Sequence, residues 1–166
     1  MNAYPIDNPA ARKIVSFLAE IGLPVHFTEL SGPTFLPGIR IVNGVLNADP
    51  GSMTWCGDLL HEAGHLAVLP PAERAATGDD AGADGGMEMA AIAWSWAALV
   101  HLHLDPQVVF HEGGYRNGSR ELIDNFREGR WFGVPLLQWM GLTAEPKLAR
   151  DLGIPAFPHM RRWLRE

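Results

Sequence analysis

From Met89 to Leu104 the chain runs sixteen residues without an Asp, Glu, Lys or Arg. A helix that is apolar on every side is a buried one. The run carries His101 and His103 near its end and falls short of the roughly 20 residues that a membrane span requires. A central core helix is therefore predicted over about Met87 to Leu104, stopped by Asp105-Pro106. A second helix is predicted over about Met53 to Val68, stopped by Pro70-Pro71. The flexible acidic segment Gly78 to Gly86 joins them. At 166 residues the chain is sized for one domain, and no repeat or linker divides it, so residues 1–166 read as a single unit.

Eighteen glycines and thirteen prolines cut the remainder into short elements. Asn8-Pro9 reads as an N-cap followed by proline in the first turn, and Ile14, Phe17, Leu18 and Ile21 then recur at helical spacing. Val25 to Leu30 alternates as a strand. Ile39 to Val42 and Val45 to Asn47 flank Asn43-Gly44, a dipeptide suited to a type I′ hairpin. Ser119 to Glu128, Pro146 to Leu152 and His159 to Glu166 read as helical, and Trp131 to Met140 is an apolar segment containing Pro135. The predicted class is α+β, with a short sheet or hairpin packed on two central helices and further helices after them.

The formal charge of −6 argues against a general nucleic-acid binder, which needs a basic surface to displace counterions. A single cysteine, Cys56, excludes an internal disulfide framework and is read as a buried thiol. The first seven residues show no basic segment leading into an apolar run, so no secretory signal is expected. A soluble cytoplasmic protein, bound neither to membrane nor to nucleic acid, is the expectation. Trp94 and Trp96 lie two apart on the core helix and cannot share a face, so at least one of them is expected to meet a partner subunit, such as a second copy of the chain.

His61-Glu62-Ala63-Gly64-His65 carries the chemistry. Residues four apart lie about 40° apart around a helix, so His61 and His65 present two imidazoles to one metal ion. Glu62 projects beside them without ligating and is placed to take a proton from a water at the metal. Gly64 costs about 1 kcal/mol in a helix interior relative to Ala, which close packing against another backbone explains. A catalytic zinc takes three protein ligands. The extended motif with a third histidine would need Gly at position 68 and His at position 71, where the chain has Val68 and Pro71. Glu73, Asp79, Asp80, Asp84 and Glu88 are the acidic residues that follow. Glu88, twenty-three residues past His65, opens the second long helix and meets the metal if the two helices fold back on each other; Asp84 competes with it.

This pattern, H-E-x-x-H on one helix and a glutamate some twenty residues later on the next, resembles the gluzincin group of zinc metallopeptidases. The resemblance covers Ser52 to Met89 directly. It implies a minimal zincin-like domain holding Zn²⁺ through His61, His65 and Glu88, with Glu62 as general base in the hydrolysis of a peptide or small protein. The Ile39 to Asn47 hairpin is similar to the zincin sheet, whose edge strand binds extended peptide by strand addition. The competing class is a zincin-like metal-binding module without peptidase activity.

An oxyanion donor is also needed. His111 and Tyr115, in the Gly-rich loop His111 to Gly118, are the candidates. His103 lies fifteen residues past Glu88, about 22 Å along a continuous helix, and cannot serve the same centre; His101 and His103 are read as helix-end residues. An EF-hand beginning at Asp80 fails because positions 82 and 91 are Gly82 and Ala91. His26 and His159 receive no role, and the basic end Arg161 to Arg165 reads as a solvated terminus.

Overall fold

The computed structural model describes residues 7–79, 81 and 84–166. Residues 1–6, on which the expectation of no secretory signal rests, lie outside the described residues, as do Asp80, Gly82 and Ala83 of the acidic loop.

Asn8 caps α1 (Pro9–Glu20), its Oδ1 accepting from the N–H groups of Ala10 and Ala11. The face Ala11, Ile14, Val15, Phe17 and Leu18 is buried. Three short strands follow, β1 (Val25–Phe27), β2 (Ile39–Val42) and β3 (Val45–Ala48), in the spatial order β1-β3-β2. β3 runs parallel to β1 and antiparallel to β2. Asn43 and Gly44 both sit at positive φ, as a type I′ turn demands. Ile39, Ile41, Leu46 and Ala48 bury one sheet face in the core. The expected Val25 to Leu30 strand ends at Phe27.

Among the described residues there are seven helices: α1, α2 (Asp58–Ala67), α3 (Pro71–Ala76), α4 (Gly85–His101), α5 (Ser119–Arg127), α6 (Val134–Trp139) and α7 (Pro146–Leu152). The class is α+β, as the sequence predicts. The first long helix begins at Asp58 rather than Met53. Ser52 and Met53 donate to Asp49 O in a turn, and Gly57 abuts the carbonyl of Val108 with no room for a side chain. Pro70-Pro71 ends α2 and also starts α3, a helix the sequence reading omits, with Pro71 in its first turn.

α4 is the buried helix expected from its composition, and Trp94 and Trp96 correct the expectation of a partner contact. Both rings are in the chain's own core: Trp94 against Phe17 and Trp163, Trp96 against Phe110 and Phe126. Residues from both ends of the sequence cover the helix at Trp94 and residues from its middle cover it at Trp96, which helical periodicity cannot reveal.

The terminal segment 159–166 is not helical and is not a loose end. Trp94 Nε1 donates to Trp163 O, Arg165 N donates to Ala67 O, and Arg74 donates to Leu66 O, Leu69 O and Arg165 O. These contacts give the segment's backbone partners on other elements, Arg165 N among them, and they lash it across the ends of α2 and α4. No helix among the described residues is long and apolar enough to cross a membrane.

Candidate metal centre and catalytic cleft

The centre is made where α2 and α4 cross, running in opposite directions. Along the contact, Glu88 faces His65, Ala91 faces Gly64, and Ser95 Oγ donates to Leu60 O. Gly64 makes this approach possible, since a Cβ there would lie 2.8 Å from Ala91 O. Asp84 is the N-cap of α4: its Oδ1 accepts from Gly86 N at 2.9 Å and Met87 N at 3.0 Å. Its carboxylate is spent on the helix end, and the group that converges with the histidines is His61, His65 and Glu88.

His61 Nε2 lies 3.0 Å from His65 Nε2. Glu88 places Oε2 3.1 Å from His65 Nε2 and Oε1 3.5 Å from His61 Nε2. Two atoms bound at roughly 2.0–2.1 Å to one tetrahedral ion lie about 3.3 Å apart. The spacing of the two imidazole nitrogens is near that separation, and each imidazole has its own Glu88 oxygen at a similar distance. Burial, followed by the charge of His65, pushes the His61 imidazole down to about 4, so it is neutral at neutral pH, the form that ligates. Burial opposes ionisation of Glu88, but the hydrogen bond from His65, with the charge either imidazole carries when protonated, outweighs it and holds the carboxyl below its ordinary value. Two buried imidazoles and a carboxylate fit a divalent cation of the zinc type.

Tyr115 Oη lies 3.1 Å from His61 Nδ1. Burial first, then Asp58, Glu88 and Glu62, raise the phenol well above its ordinary value, so it keeps its proton. With the Nδ1 hydrogen donated to Tyr115, His61 is fixed in the tautomer that leaves Nε2 free. Glu62, the next residue on α2, is pushed up to about 7 by burial, with His65 opposing and Asp58, Glu88 and Asp79 adding. That value suits a group that must both accept and return a proton near neutrality.

His111 is in a different position. Its Nε2 is 2.7 Å from Asp58 Oδ1, and its ring stacks on Trp55 at 4.2 Å and 5°. Asp58, in the first turn of α2, lines the cleft; His111 lies behind it and is not among the lining residues. Asp58 Oδ2, His111 Nδ1 and His65 Nδ1 are buried without a hydrogen-bond partner among the described residues. The sequence reading passed over Asp58 and Trp55. Asp58 sits three residues before His61, which is a signal, but a first-turn aspartate has an ordinary explanation in the helix dipole.

The cleft has a volume of about 940 Å³. Glu62 and the three converging residues line it with Tyr115, and Phe35, Leu36, Ile92, Leu122 and Phe132 form its apolar walls. His101 packs on Phe17 and Trp163, away from this centre. His26 pairs with Asn47 on the sheet, and Cys56 is half-buried with its thiol pushed up by burial. No protein-family model, curated protein or solved structure matches this chain.

Proposed function

We propose that this chain is a zinc-dependent hydrolase that cleaves an amide bond in a peptide or small protein. The observation that carries the reading is the convergence of ligand atoms from His61, His65 and Glu88 within 4.8 Å of one another, with Glu62 beside them in an open cleft. Zinc, when bound, polarises a carbonyl and acidifies a water. Glu62 then takes the water's proton and returns it to the leaving amine. Tyr115 holds His61 through Nδ1; with its hydroxyl on the ring edge away from Nε2, its role is to orient that ligand rather than to meet the oxyanion. His111 supports Asp58 from behind.

The test has two arms. Purified protein binds one zinc per chain, and His61→Ala loses it. Wild type loaded with zinc cuts a mixed peptide library, while Glu62→Gln retains zinc and loses cleavage. Zinc without cleavage favours the second reading, a metal-binding module without peptidase activity. One observation supports that alternative: both outward N–H groups of β2 are engaged, Ile39 N with Leu36 O and Ile41 N with Asp79 Oδ1, which limits strand addition at that edge.

A further inference from the structure

β2 is an edge strand, and the edge that an extended peptide would join is occupied by Asp79. The register pairs Val42 with Val45 across the two-residue turn, so Arg40 faces Asn47 in a hydrogen-bonded pair and the N–H of Ile41 points outward. Asp79 Oδ1 accepts from that N–H at 2.9 Å. Asp79 Oδ2 lies 3.3 Å from Arg40 Nε. The guanidinium is already fixed, with Nη1 donating to Ser31 O at 3.1 Å and Nη2 to Pro33 O at 2.8 Å. A backbone donor and a charged donor, both held by the fold, therefore grip the two oxygens of one carboxylate.

The side chain of Asp79 is 43% exposed, so a competing group can reach it through solvent. The carboxylate also lines the cleft that holds His61 and Glu62. An incoming carboxylate would replace Asp79 bond for bond, leaving no buried donor unmet.

We propose that Arg40 and the Ile41 N–H form a carboxylate-binding subsite, filled within the chain by Asp79, that takes an acidic side chain of an extended peptide entering the cleft. The proposal rests on the hydrolase reading and narrows its substrate class to peptides carrying Glu or Asp near the bond cut. Asp79 acts as an internal competitor that lowers affinity for acidic peptides until it is displaced.

The experiment uses the full chain loaded with zinc, in a Glu62→Gln background that binds without turnover. The probes are two fluorescein-labelled degenerate hexapeptide pools, one with a fixed Glu and one with Gln at the same place, followed by anisotropy. Adding Asp79→Ala frees the subsite and tightens the Glu pool about tenfold over the Gln pool. Adding Arg40→Gln to that variant erases the difference. Asp79→Asn, which keeps an acceptor for Ile41 but loses the charge, gives a smaller gain and serves if Asp79→Ala fails to fold. Equal affinity for both pools, or no gain on freeing the subsite, overturns the proposal. If wild type cuts the library while that result is obtained, the subsite fails alone. If zinc-loaded protein neither cuts nor binds any pool, the hydrolase reading fails and takes the subsite with it.

Discussion

Gly64→Ala sets two effects of opposite sign against each other in the middle of α2. Replacing a helix-interior glycine by alanine gains about 1 kcal/mol of helix propensity. The new methyl, however, would sit 2.8 Å from Ala91 O and 3.3 Å from both Ala91 Cα and Ser95 Oγ. The closest of these atoms is backbone, so no rotamer change relieves it. Restoring ordinary contact requires α2 and α4 to part by about 0.6 Å, and overpacking of this kind costs about 1–3 kcal/mol. Because the closest atom is backbone, packing wins, with a net loss of up to about 2 kcal/mol, or up to about 8 °C in Tm for a chain of this size. The same parting acts on the centre, because His61 and His65 are on one helix and Glu88 on the other. Zinc affinity is expected to fall by about tenfold. Thermal melts of metal-free protein followed by circular dichroism measure the first effect, and competition with a chromophoric chelator measures the second. A Gly64→Ala protein that melts higher than wild type and binds zinc equally well would refute the claim that this contact sets the geometry of the centre.

Three further perturbations separate the remaining roles. Tyr115→Phe removes the acceptor for His61 Nδ1 and is expected to weaken zinc binding by about tenfold or more, by chelator competition, with little change in fold. Asp84→Ala removes the cap of α4 and costs about 1 kcal/mol of stability in denaturant melts, while zinc stoichiometry stays at one, since Glu88 supplies the carboxylate. Asp49 accepts from Ser52 Oγ, Leu30 N and Gly51 N, and these bonds hold its carboxyl below the ordinary value. Its contribution is therefore complete above the unfolded value of about 3.9 and is lost as pH falls through the lower folded value. Acid-titration melts of Asp49→Asn should show a shallower loss of stability in that window; an acid limb identical to wild type would contradict the assignment.

The parts of this molecule that were legible in its sequence are those governed by local periodicity and caps. The His61 and His65 pair follows from helical geometry alone, and the hairpin follows from Asn43-Gly44. The core helix follows from sixteen residues without charge. The parts that were not legible depend on contacts between distant segments. Nothing near Trp163 announces that its carbonyl receives the indole N–H of Trp94. Met53 to Gly57 has helix-compatible residues, yet Val108 and Asp49 hold the segment in turns. Sequence reasoning favours Glu88 over Asp84 as the third ligand but leaves the aspartate in competition, since both are carboxylates four residues apart. Only the start of α4 tells them apart, by giving one of them to the exposed end and turning the other inward.

The centre is built from packing before any ion enters it. Gly64 against Ala91, Ser95 on Leu60 and the terminal strap on Ala67 fix α2 against α4 through apolar and backbone contacts that a cation does not touch. Small metallodomains that unfold without their ion lack such a frame, and in them binding energy is folding energy. Here about a dozen fully buried large side chains supply the fold, Trp94, Leu59, Leu60 and Leu66 among them, around the helices that carry the ligands. At the centre itself two imidazole nitrogens sit 3.0 Å apart, close enough to share one hydrogen. On the proposed reading a cation would take the place of that hydrogen, and its binding energy would go into His61, His65 and Glu88 as ligands rather than into building the fold around them.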